Sequence, residues 1–98
     1  MRLLVNLAPP YPIDKKFEAF NFHTIVIDGN DFDQIRAAFK EARETKGQPT
    51  AIIAKTVKGK GVSFMEDKAG WHGKAPNDEE FAIAMEELEK AGEALCQK

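Results

Sequence analysis

The run "KTVKGKGVSFMEDKAGWHGKAPND" at residues 55–78 gathers the side chains best suited to chemistry. Lys55, Lys58 and Lys60 concentrate positive charge, and Gly59 and Gly61 stand among them. Glycine admits positive φ and lets a backbone come close to a ligand. Amides from such turns, together with lysine ammonium groups, suit a phosphate. His72 lies between Trp71 and Gly73, where it can donate a hydrogen bond or carry a proton near neutral pH. Trp71 offers a rigid apolar wall beside it. On chemistry alone this is an anion-binding loop, with Lys58, Gly59, Lys60, Gly61 and His72 as its candidate residues. A short Lys-Gly run also occurs in solvated turns, and a His beside a Trp also serves packing, so both readings stand at this level.

Other apparent motifs carry less. "DGND" at residues 28–31 has the look of a metal loop but lacks the further carboxylates and closing Glu of an EF-hand. It reads instead as a strand-ending turn at Asp28-Gly29 and a helix cap at Asp31. His23 has no second ligand at metal spacing, and "WHG" has no Cys or His at zinc spacing, so no metal ligands are assigned. The single cysteine, Cys96, reads as a free, partly exposed thiol.

Composition sets the frame for these residues. The chain has 98 residues, 43% hydrophobic and 31% charged, which is globular in character and of one small domain or less. A net charge of -2 argues against a general nucleic-acid binder. One thiol cannot form an internal disulfide, so nothing argues for secretion, and no apolar run reaches membrane-spanning length. The opening "MRLLVNLAPPYP" is broken by Asn6 and by prolines too early for a signal-peptide core. A cytoplasmic location is the default expectation.

The elements that must position the loop follow from pattern. Residues 1–12 form a Pro-rich extended arm, and residues 13–98 a partial α/β domain. "DKKFEAF" suggests a short helix capped by Asp14, with Phe17 and Phe20 on one side. "HTIVIDG" reads as a strand buried on both faces. "NDFDQIRAAFKEARETKG" reads as a helix capped by Asp31 with Gln34 completing a capping box. Its apolar stripe would be Phe32, Ile35, Phe39 and Ala42, and Gly47 would stop it. "PTAIIAKTV" reads as a second strand, parallel to the first across a right-handed βαβ crossover. "NDEEFAIAMEELEKAGEAL" reads as a closing helix, capped by Asn77 and Glu80, that buries Phe81, Met85, Leu88 and Leu95. Two such strands cannot cover both faces with so few helices, so the chain reads as part of a larger α/β sheet.

The segment "AIIAKTVKGKGVSFMEDKAGWHGKAPNDEE" closely resembles the end of the thiamine-diphosphate-binding N-terminal region of transketolases, above all the split form with separate N- and C-terminal chains. "DKKFEAFNFHTIVIDGNDFDQIRAAFKEAR" is similar to the preceding part of that region. The family pattern has a His in the Asp-Gly-X-Asp turn where this chain has Asn30. The resemblance implies an α/β thiamine-diphosphate fold and transfer of a two-carbon ketol unit between sugar phosphates, as in the pentose phosphate pathway. It implies thiamine diphosphate with a divalent metal, Mg or Ca, as cofactor. It also implies a complementary transketolase chain and an active site at a homo- or hetero-oligomer interface. By the resemblance His72 lies near the cofactor diphosphate and substrate channel, and Lys58, Gly59, Lys60 and Gly61 run beside the same site. The family's Gly-Asp-Gly metal signature and its thiazolium-activating Glu do not occur here. The chain therefore reads as a fragment, inactive alone. The alternative is a small non-catalytic α/β domain that binds a protein partner or a phosphate-bearing ligand.

Overall fold

The computed structural model describes residues 10–97, which divide into two compact units, 10–56 and 57–97. Calls on residues 1–9, most of the arm, lie outside the described residues.

The first unit holds α1 (Ile13–Ala19), β1 (His23–Asp28), α2 (Phe32–Glu44) and β2 (Thr50–Lys55). The strands pair in parallel, with His23 opposite Thr50 and Asp28 opposite Lys55, as the β-branched runs on either side of one helix require. Alternation puts His23, Ile25 and Ile27 on one face and Thr24, Val26 and Asp28 on the other. The first face meets α2, for His23 Nε2 and Glu41 Oε2 stand 2.5 Å apart. The second face is thinly covered, and Val26 is 45% exposed. The expectation of strands buried on both faces therefore fails, because the covering layers are incomplete in this chain.

Four details of the helices differ from the pattern. Pro12, not Asp14, takes the cap position of α1, and Asp14 falls in its first turn. Phe17 meets Phe22 edge-on at 5.2 Å, while Phe20 is left at the helix end, 78% exposed. In α2, Asp31 does cap, accepting from the amides of Asp33 and Gln34. Gln34 does not complete the box. Its Oε1 accepts from the Asp28 amide at 2.7 Å, so it ties the end of β1 to the start of α2. The helix stops at Thr45, whose amide donates to the Ala42 and Glu41 carbonyls and whose hydroxyl donates to the Glu41 carbonyl; Gly47 lies beyond that cap.

The α2 stripe also shifts. Ala38 is fully buried, with Ile35 and Ala42 half-buried beside it, whereas Phe32 and Phe39 are 69% and 54% exposed. Small side chains allow a close helix–strand approach, and the two phenylalanines turn to a neighbouring face.

The second unit holds the loop from Val57, a 3-10 turn (Ala69–Trp71) and α3 (Asp78–Cys96). Asn77 and Glu80 form the expected capping box at the start of α3, and three acids fill its first turn. Its buried residue is Ala84, with Glu80 and Glu87 half-buried on the same side. Phe81, Met85, Leu88 and Leu95, expected inside, are all exposed. The loop reaches the helix at Glu87, which bonds Ser63, and at Leu88, which lies beside Gly61.

Candidate functional site

The Lys-Gly loop is an internally bonded structure. Gly59 and Gly61 have φ of +73° and +100°, the left-handed region that glycine alone enters without strain. At Gly59 a Cβ would stand 2.8 Å from the Met65 carbonyl oxygen, so only hydrogen fits there. Two turns follow, with the Lys60 amide donating to Val57 and the Val62 amide to Gly59. The Asp67 amide donates to the Lys58 carbonyl at 2.8 Å and closes the loop. Val62 is buried at its centre.

Two carboxylates take the places an anion might take. Glu66 Oε1 accepts from the Gly61 amide at 3.0 Å. Glu87, on α3, accepts from the Ser63 amide at 2.7 Å and from the Ser63 hydroxyl at 2.5 Å. The amides of residues 60–63 are thus already donated within the unit. What the loop offers to an external anion is its side chains, Lys58 half-buried and Lys60 exposed.

The Ser63 hydroxyl, then the Ser63 amide, hold the Glu87 carboxyl below the ordinary glutamate range, and Lys90 adds to the effect. A lowered folded-state pKa means that the clamp is complete at neutral pH and is lost as pH falls through the lowered value. Protection of the Ser63 amide, the slowing of its exchange relative to an unstructured amide at the same pH, should therefore be high near neutrality and fall on acidification below the usual carboxylate range. Glu87→Gln should remove that acid dependence. Protection that persists through the acid range in the unsubstituted chain would show that the carboxylate does not hold the loop.

His72 is positioned by its neighbour. Trp71 Nε1 donates to the Phe64 carbonyl at 3.2 Å, its ring tilts against Phe64 at 5.5 Å, and Lys74 Nζ sits 4.5 Å from the ring centroid on a face. An aromatic held by a hydrogen bond, a ring contact and a cation is a firm anchor. The His72 amide donates to the Ala69 carbonyl, and its imidazole is exposed. The unit therefore presents a histidine from a fixed turn. Ser63, Phe64, Glu66, Lys74 and Glu87 shape this region and were not legible in the spacing. The one sequence signal was the capping box, which fixes where α3 begins.

In the first unit a separate cleft of about 600 Å³ is lined by Tyr11, Pro12, Ile13, Val26, Ile53 and Thr56, with Asp14, Ala54 and Lys55. Its walls are mainly apolar, with Asp14, Lys55 and Thr56 as its polar groups. Glu41 engages His23, Asp28 caps its own turn through the Asn30 amide, and Cys96 is exposed and free. Among the described residues no three His, Cys, Asp or Glu side chains converge to hold a metal ion. No helix among them is long and apolar enough to cross a membrane.

Residues 8–93 match the family described as "Transketolase, thiamine diphosphate binding domain". The chain is similar to the 6-deoxy-6-sulfo-D-fructose transketolase subunit SqwG of Clostridium sp. (strain MSTE9), 39% identical over 89% of this chain and 32% of that protein. It is similar to the transketolases of Mus musculus and Homo sapiens, 53% and 52% identical over 61% of this chain and 9% of each relative. The chain thus spans about a third of the first relative and about a tenth of the other two.

Proposed function

The chain belongs to the transketolase family, within its thiamine-diphosphate-binding domain, and on that premise we propose that it is one component of an enzyme that transfers a two-carbon ketol unit between sugar phosphates. It contributes the Lys-Gly loop and His72 to a composite site, and a complementary chain or segment contributes the rest. The single observation that carries this reading is the exposed imidazole of His72 on a turn anchored by Trp71.

The residues present do not fit the whole cofactor. The loop amides are engaged by Glu66 and Glu87, and a metal needs converging oxygen ligands. Lys58, Lys60 and His72 do fit the outer, anionic side of a diphosphate or of a substrate, as charged donors. In this reading His72 donates hydrogen bonds to developing negative charge or carries a proton, and the lysines attract the anionic substrate. The name of the Clostridium relative specifies a sulfonated sugar, and the same lysines suit a sulfonate as well as a phosphate. The two-stranded sheet has two open outer edges among the described residues, which gives neighbouring strands of a complementary segment a place to pair. A cytoplasmic setting and a part in sugar-phosphate metabolism accompany this function.

A chimera tests it. Residues 13–95 would replace the matching segment of the Clostridium subunit, assembled with its partner subunit. Retained ketol transfer is the expected outcome. A folded chimera that binds its partner subunit but transfers nothing would count against the reading.

A further inference from the structure

We propose that the exposed faces of α2 and α3 pair between two copies of this chain, α2 of one copy lying on α3 of the next. Both faces are apolar and repeat every seven residues. On α2 they are Phe32 and Phe39, 69% and 54% exposed; on α3 they are Phe81, Leu88 and Leu95, 57%, 45% and 58% exposed. Seven residues rise about 10 Å along a helix, so the two rows share one spacing and can interdigitate.

Charge selects the pairing. Arg36 and Arg43 each stand four residues past a phenylalanine and share its face, and Lys40 borders them together with Asp33 and Glu44, so the side nearest the phenylalanines is basic. Arg36 reaches Asp33 only at 3.5 Å, with both side chains largely exposed. On α3 the rim next to Phe81 and Met85 is acidic, formed by Asp78, Glu89 and Glu93. Two α3 faces would set acid against acid, and two α2 faces base against base. The α2–α3 pairing sets opposite charges along an apolar seam. The pairing joins unlike faces, so two copies can satisfy both at once about a two-fold axis, or each copy can pass its open face to the next. The inference rests on these two helix faces and is independent of the cofactor reading.

Sedimentation velocity over a range of concentrations tests it, with two charge reversals. Arg36→Glu with Arg43→Glu makes α2 acidic, and Glu89→Arg with Glu93→Arg makes α3 basic. All four sites are exposed, and circular dichroism checks folding. The unsubstituted chain should grow in mass with concentration, to a dimer or beyond. Each reversal alone should weaken self-association about tenfold or more. An equimolar mixture of the two variants should restore it, since acidic α2 then meets basic α3. A chain that stays monomeric at every concentration overturns the proposal. So does association that ignores either reversal, as an α3–α3 contact would ignore the change on α2. Failure of the mixture of folded variants to recover association also overturns it.

Discussion

His72→Ala, made in the assembled chimera, is expected to lower turnover about 10²–10⁴-fold, the range of a positioned acid–base or hydrogen-bonding group. Its effect on folding should be small, because the imidazole is exposed and the turn is held by other groups. Those groups are the Trp71 ring, its bond to the Phe64 carbonyl and the Lys74 contact, none of which involves the His72 side chain. Turnover and melting temperature should therefore be measured on one preparation. Normal turnover per folded molecule with a lowered melting temperature would make His72 a packing residue and remove it from the site.

Trp71 is where the sequence reading and the structure are most instructive together. Its type and its place beside His72 were legible, and so was the apolar wall it supplies. Its hydrogen bond to Phe64 was not, because a seven-residue loop segment has no periodicity to read. The Glu87–Ser63 clamp spans 24 residues and depends on how α3 is rotated against the loop. Pattern rules missed that rotation for a physical reason. They rank helix faces by apolarity and so chose Phe81, Met85, Leu88 and Leu95, whereas the buried residue of the helix is Ala84 and the loop bonds to Glu87. The same choice misplaced Phe32 and Phe39 on α2, where Ala38 allows the close contact with the sheet layer.

Caps and turns were more legible. Asp31, Asn77 and Glu80 act locally, through amides two or three residues away, and the structure places each as the spacing required. The parallel strand pair also followed from the sequence, since two β-branched runs flank one helix of crossover length. Gly59 and Gly61 adopt the positive φ expected of them. The use they are put to was unexpected. They fold the loop onto its own carboxylates, so the amides of residues 60–63 serve the loop itself.

That use of the amides governs the cofactor. A diphosphate carries several negative charges, and removing them from water requires a divalent ion or a dense set of donors. In this chain Glu66 and Glu87 hold loop amides, and their own negative charges oppose an incoming phosphate. Lysine ammonium groups at an exposed loop interact through high dielectric and are screened by salt, so they attract a diphosphate without fixing it. In the proposed assembly the chain supplies an edge of the site, and complementary residues supply its metal-binding centre.

The most direct measurement is calorimetric titration of thiamine diphosphate, with magnesium present, into the 98-residue chain and into the assembled chimera. The account predicts binding by the chain alone no tighter than about 1 mM, equivalent to about 4 kcal/mol, with saturable binding in the chimera. Tight one-to-one binding by the isolated chain would contradict it, for it would mean that these residues already contain the metal and diphosphate ligands.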